Sequence, residues 1–252
     1  MKQNVLFILL FAFIGCGIPA NLFAQISEGG TPASFDFQDQ MISMSEKLPY
    51  RAPISFDVAK LREEDKIAEI NNQPLRTAMI IPANLNMDNS GEWTTMPDGR
   101  RIWRLTVKAE GAIATMLYYD SFRIPRRGRL FIYNKDRTHL LGAYTSRTNP
   151  MNKQFATEYV AGDEMILEYN EPLPSEVTLT MPDMQDDQPE IQISGIGYGY
   201  NYLEVYKTGD QLQIGESNSC QVNINCPEGD NWQDHKKGVA KILTPIGASQ
   251  YL

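Results

Sequence analysis

From residue 92 the chain alternates apolar and polar positions in short runs separated by turn residues. Arg101-Ile102-Trp103-Arg104-Leu105-Thr106-Val107 has the period of two of a half-buried strand, and Trp93-Thr94-Thr95-Met96 reaches it through the turn Pro97-Asp98-Gly99, which predicts a hairpin. Further strand runs follow at 113–119, 128–133, 140–144, 165–169 and 177–181, with the turn-prone Ile124-Pro125-Arg126-Arg127 between the first two. Short strands at this spacing predict a mainly β fold, with a jelly-roll-like β-sandwich over residues 92–182.

The flanking segments read differently. Residues 25–91 carry Gly29, Gly30, Pro32, Pro49, Pro53, Pro74 and Pro82, which predicts an irregular segment. One helix is expected there, over residues 57–71, with Asp57 as N-cap, and Arg62-Glu63-Glu64-Asp65-Lys66 as a solvated face. Beyond the sandwich, the acidic, proline-bearing residues 182–189 read as a loop, opening a linker and processing region over 183–214. Within it, Gly195-Ile196-Gly197-Tyr198-Gly199-Tyr200 lacks the Gly-x-Gly-x-x-Gly spacing and the following helix of a phosphate-binding loop. It reads as a glycine-bearing strand or loop, with Tyr198, Tyr200, Tyr202 and Tyr206 packing on the sandwich.

The amino terminus adds a destination. Met1-Lys2 precedes a short apolar run over 5–14, broken by Gly15, Gly17 and Pro19 before it reaches the ~18 residues of a membrane span. Residues 1–24 therefore read as a signal peptide cleaved between Ala24 and Gln25. The exported chain is expected in the periplasm or outside the cell. An alternative is a lipid anchor on Cys16, because Phe13-Ile14-Gly15-Cys16 loosely resembles a lipoprotein box.

The formal net charge of −8 argues against a nucleic-acid partner. No His-x-x-x-His or clustered Cys/His spacing exists, so neither a metal nor a cofactor is expected. The two histidines have bland settings: His139 reads as an exposed strand-edge residue and His235 as a solvated residue in a charged connection. Cys220 and Cys226 are separated by an alternating Gln-Val-Asn-Ile-Asn. As a strand this spans about 20 Å, against the ~7 Å between Cα atoms that a disulfide allows. Each cysteine wants a partner elsewhere or remains a buried thiol.

Residues 215–230, which contain Cys220, Cys226 and the following Pro227-Glu228-Gly229-Asp230, resemble the mature amino terminus of the lysyl endopeptidase group of trypsin-like, secreted bacterial serine proteases. Trp232-Gln233 and the run Lys237-Gly238-Val239-Ala240-Lys241-Ile242 resemble the approach to the first barrel strand of those enzymes. Trp103-Arg104-Leu105 and Leu130-Phe131-Ile132-Tyr133 resemble strands of their long pro-regions, more faintly. The resemblance implies that residues 215–252 are the truncated start of a trypsin-like double β-barrel, and that Cys220 and Cys226 form disulfides with cysteines further along. It also implies that the pro-region's partner is its own downstream catalytic domain, as chaperone or inhibitor.

A trypsin-like enzyme needs Ser, His and Asp in concert. The family's Thr-Ala-x-His-Cys and Gly-Asp-Ser-Gly-Gly segments are absent here, so no residue is assigned as catalytic and the chain itself is expected to be inactive. Residues 215–252 are too few to fold alone and are expected to be poorly ordered by themselves. Lysyl self-processing would need Lys before Gly215, yet Gln213 and Ile214 stand there. A first cut between Lys207 and Thr208, followed by trimming to Gly215, is the expected route. The reading from another functional class is a non-enzymatic exported β-sandwich that serves as a binding or adhesion module.

Overall fold

In the computed structural model, residues 27–37, 49–173, 188–201, 227–232 and 242–251 are described. Two curled, largely antiparallel sheets are built from them. Sheet A comprises β1 (Tyr50–Arg51), β4 (Arg101–Lys108), β10 (Glu164–Asn170), β6 (Arg129–Asn134) and β7 (Leu140–Tyr144) in that order, with β3 (Glu92–Thr95) also on β4. Sheet B runs β12 (Thr244–Ile246), β13 (Ser249–Tyr251), β2 (Arg76–Asn86), β11 (Glu190–Gly199), β5 (Ala114–Arg123) and β8 (Phe155–Ala156), with β9 (Val160–Ala161) also on β5. The predicted β3–β4 hairpin forms with Trp93 opposite Trp103, and its turn closes by Met96 N–H donating to Arg100 O at 2.7 Å.

One core joins the sheets. Trp103, Leu105 and Val107 of β4 and Leu167 and Tyr169 of β10 meet Leu117 and Phe122 of β5 and Ile193, Ile196 and Tyr198 of β11. Burying each such side chain contributes about 1.5–3 kcal/mol. Phe122 stacks on Phe155 at 4.1 Å between ring centroids, and Tyr144 meets Phe155 edge-on.

The apolar positions change parity within two central strands. In β11 they fall at 191 and 193, then at 196 and 198; in β5 at 117 and 119, then at 122. A regular pleat would turn half of these outward. The pairing between β5 and β11 accordingly shifts register at Gln192/Ile193 and again at Ile193/Gly195. These bulges keep Ile191, Ile193, Ile196 and Tyr198 of β11 and Leu117, Tyr119 and Phe122 of β5 on the core side.

The sheets reach beyond residues 92–182 on both sides. β2 lies in the stretch expected to be irregular, and β11, in the stretch expected to be linker, is a central strand of sheet B. Pro82 is accommodated in β2 because it faces Gly195, where the β2–β11 pairing also slips. The segment expected as a strand at 177–181 lies outside the described residues.

The amino-terminal part of the described chain covers the outer face of sheet A. Helix α1 (Ala33–Asp36) is held by buried side chains of β10: Ala33 N–H donates to Asn170 Oδ1 at 2.9 Å and Ser34 N–H to Glu168 Oε1 at 3.0 Å. Glu168 is fully buried and also accepts from Tyr133 Oη at 2.9 Å. Burial, reinforced by that carboxylate, pushes the Tyr133 phenol well above its usual range.

Helix α2 (Val58–Ile70) begins as predicted, with Asp57 accepting from Ala59 N–H at 2.8 Å and Lys60 N–H at 3.3 Å. Its charged run is not wholly solvated. Asp65 is 6% exposed and receives Arg76 at 2.8 Å, Tyr200 Oη at 2.7 Å and Asn201 Nδ2 at 3.2 Å. Leu61 and Asp65 form the buried face, while Ile67 and Ile70 face solvent at 62% and 80% exposure. The helix is thus docked by an ion pair as much as by apolar contact.

Two outcomes follow. Asp65→Ala removes the buried acceptor of Arg76, Tyr200 and Asn201, while Arg76 keeps Glu64 at 3.1 Å and Leu61 O at 3.2 Å, and it should lower unfolding stability by about 1–3 kcal/mol in urea titration; Asp65→Asn, which can keep the Tyr200 bond, should cost less. Glu190 tests the anchoring of β11. Lys153 at 2.8 Å, Ser121 at 2.8 Å and Arg123 at 3.2 Å hold its carboxyl at about 2, below its ordinary 4.5. The folded state gains from this above the unfolded value and loses it as pH falls from about 4.5 to about 2. Thermal melts across that window should therefore show a shallower pH slope for Glu190→Gln, and the difference should shrink in 1 M salt.

Candidate functional site

The outer face of sheet B carries the most distinctive surface. At the end of β11 and just beyond it, positions 195, 197 and 199 are glycines, and Ile196, Tyr198 and Tyr200 between and after them are all buried. The core side of the strand is filled and the opposite side is bare. A Cβ on Gly197 would overlap Met116 Cγ, and one on Gly195 would lie 3.0 Å from Ile80 Cγ2 and 3.4 Å from Tyr118 Cδ2. Side chains of β2 and β5 therefore lie down over a glycine floor. The glycines lie in a β-strand, as their spacing predicts, and they serve close packing.

Beside this floor runs a groove of about 670 Å³, bounded by Ile80, Met116, Tyr118 and Gly195 and, from the carboxy-terminal segment, Leu243 and Pro245. Gln250 also lines it. Its residue is 1% exposed, because β13 pairs it with Ala78 on one side and with Pro245 on the other. The exposed Asp120 and Glu158 lie at the rim. Burial raises the Tyr118 phenol far above its normal range, so it stays neutral at any physiological pH.

The β12–β13 hairpin supplies the far wall. It turns at Gly247 and Ala248, with Gly247 in the left-handed region at φ 59°. It then adds to the edge of β2: Ser249 pairs with Met79, Gln250 with Ala78, and Ile80 N–H donates to Ala248 O at 2.8 Å. The carboxy-terminal residues 242–251 are not left to fold alone; they complete a sheet formed by the preceding domain.

A second recess, of about 430 Å³, is lined by Arg100, Arg127, Arg129 and Arg147 together with Glu28 and Glu171. Arg147 pairs with Glu28 at 3.5 Å, and Arg100 with Asp98 at 3.2 Å. Its positive charge is partly neutralised from within. The dibasic Arg126-Arg127 sits in the tight turn between β5 and β6, closed by Gly128 N–H donating to Pro125 O at 3.0 Å.

His139 differs from its expected exposed setting. It is half-buried, its Nδ1 accepts from Ala161 N–H at 3.1 Å, and burial lowers its pKa despite the opposing influence of Glu158. Its role here is to tie β9 to the loop before β7. Among the described residues, no group of three His, Cys, Asp or Glu side chains is placed to hold a metal ion. Among the same residues, no helix is long and apolar enough to cross a membrane. Cys16, Ala24, Gln25, Lys207, Thr208, Gly215, Cys220, Cys226 and His235 lie outside the described residues. Pro227–Trp232 forms a 3₁₀ helix.

Met116, Tyr118 and Gln250 were not singled out by their sequence context. The spacing Gly195-x-Gly197-x-Gly199 held the available signal, since a strand with glycine at alternate positions has one bare face. No family profile and no solved structure matches the chain.

The floor is testable by a double-mutant cycle. Gly197→Ala should destabilise the chain by about 1–3 kcal/mol through overpacking. Met116→Ala should relieve much of that loss, giving a coupling of about 1 kcal/mol or more in chemical denaturation. Additive losses would mean that Met116 does not lie on the floor.

Proposed function

We propose that the chain is the pro-region and catalytic-domain amino terminus of an exported trypsin-like serine endopeptidase, with sheets A and B forming a jelly-roll-like sandwich pro-domain. The observation that carries this reading is the addition of the β12–β13 hairpin to β2. That hairpin lies in the segment whose Cys-x5-Cys-Pro-Glu-Gly-Asp motif resembles the start of a lysyl endopeptidase. In this reading the pro-domain grips the first strands of its own enzyme by edge pairing, a mode that uses main-chain bonds and tolerates many side chains. Such a grip suits a folding template or an inhibitor. Export rests on the signal-peptide pattern of residues 1–24, and preference for lysyl bonds rests on the resemblance. Cys220 and Cys226 then pair with cysteines of the catalytic domain.

The glycine-floored groove favours a second reading, an exported β-sandwich that binds a ligand and has no peptidase activity. Reading the gene beyond the codon for Leu252 separates the two. A frame that continues into the Thr-Ala-x-His-Cys and Gly-Asp-Ser-Gly-Gly segments supports the protease, and an immediate stop codon leaves the binding module. The chain itself should leave a lysyl ester intact. For the secreted full-length protein, a pulse-chase with amino-terminal sequencing should find a Thr208 intermediate that gives way to Gly215. Maturation directly at Gly215 would refute the two-step route, and a terminus upstream of residue 183 would refute the boundary of the pro-region.

A further inference from the structure

We propose that the arginine-lined recess at one end of sheet A binds a phosphate monoester. This goes beyond the protease reading and does not require it. The antiparallel order β4-β10-β6-β7 brings the starts of β4 and β6 together with the ends of β10 and β7. Asn170, at the end of β10, pairs with Ile102 on one side and with Arg129 on the other. Arg100 precedes β4, Arg127 lies in the turn before β6, and Arg147 follows β7, so arginines from three walls meet in one recess of about 430 Å³. The chain as a whole carries a formal net charge of −8, and this concentration of positive charge runs against its average.

Charge and geometry select the ligand. Among the described residues that line the recess, four arginines stand against two glutamates, Glu28 and Glu171, which leaves two positive charges. Glu28 accepts from Thr145 Oγ1 at 3.0 Å and pairs with Arg147 at 3.5 Å, and Glu171 pairs with Arg101, outside the lining, at 3.4 Å. Arg129 forms no ion pair with a described residue. Arg127, Arg129 and Arg147 are exposed, so an incoming anion can reach them. A phosphate monoester carries about −1.5 to −2 charges at pH 7, which matches the surplus, whereas a sulfate monoester carries a single one. The two oxygens of a carboxylate lie in one plane, but the three terminal oxygens of a phosphate monoester diverge and can each accept from a different wall. Ser146 adds a hydroxyl beside Arg147. Arg127 has φ 66° at the third position of its turn, where glycine or asparagine is usual, so its side chain is kept there against a conformational cost.

The test titrates the ¹⁵N-labelled chain with phenyl phosphate, phenyl sulfate and glutarate, at low ionic strength and a pH of about 7.5, above the second phosphate pKa of about 6. The Arg129 Nε–H resonance should shift saturably with phenyl phosphate. Its affinity should exceed by about fivefold or more that of phenyl sulfate, which lacks the second charge, and that of glutarate, which has both charges on planar groups. Arg129→Gln, at an exposed position, should melt within about 2 °C of the parent and lose about tenfold or more in affinity. Should Arg129→Gln fail to fold, Glu171→Gln keeps every arginine, removes one repelling charge from the wall, and should tighten binding by about threefold or more. Phosphatidylcholine vesicles with and without phosphatidic acid separate two sources of the ester. Flotation that needs phosphatidic acid and is lost in Arg129→Gln assigns a lipid headgroup, and phenyl phosphate binding without flotation assigns a soluble ester. A shift that does not saturate, meaning an adventitious ion only, would overturn the proposal. So would an Arg129→Gln variant that binds as the parent does, a Glu171→Gln variant that binds no tighter, or equal affinity for phenyl phosphate and either comparator.

Discussion

The two-sided character of β11 is the constraint on which the rest of the structure depends. Its core side carries Ile193, Ile196 and Tyr198, each at most 3% exposed, and residue 200 continues that side with Tyr200. Its outer side, at Gly195 and Gly197, carries nothing. The filled side fixes how the two sheets meet, because β11 lies between β2 and β5 and contributes apolar residues along its length. The bare side lets Met116 and Tyr118 lie flat and leaves room for a groove. Neither side tolerates a register slip, since moving the strand by one residue would bring glycines into the core and isoleucines into the Met116 side chain.

This constraint explains which parts of the fold were legible in the sequence. The β3–β4 hairpin was readable because Pro97-Asp98-Gly99 is a strong turn signal between alternating runs. α2 was readable from its N-cap, Asp57. β2 was hidden by Pro82, which argues against a central strand unless a bulge faces it, and that bulge is supplied by β11 more than a hundred residues later. The burial of Asp65 was hidden for a similar reason. Nothing near it in sequence announces that Arg76 and Tyr200 will converge on it, while Ile67 and Ile70 suggest a different buried face.

The candidate site was less legible than the fold. Gly195 and Gly197 were visible, and their spacing excluded a phosphate loop, but the groove needs walls from β2, β5 and the carboxy-terminal hairpin. Gln250 becomes unusual only when β13 pairs it against Ala78 and shields it from water. Unmet hydrogen-bonding capacity is a property of the folded arrangement. The sequence shows a glutamine between Ser249 and Tyr251 and nothing more.

Each sheet is finished by a segment from one end of the described chain. On sheet A, α1 is fixed by Glu168 and Asn170, whose side chains satisfy backbone groups of residues 33 and 34. On sheet B, β13 satisfies the edge of β2, including Ile80 N–H. The two attachments differ in consequence. Loss of α1 would leave a buried carboxylate short of a donor, a penalty confined to the domain itself. Loss of the hairpin would open β2 as an edge strand, and an unpaired edge invites pairing with another chain. In the protease reading, an enzyme that departs with its first hairpin leaves such an edge behind, so the spent pro-domain is most prone to aggregation or proteolysis at the moment of release. That gives the grip a direction. On that reading the grip would be favourable while the catalytic barrel is incomplete, and would give way once the same strands find better partners within the barrel.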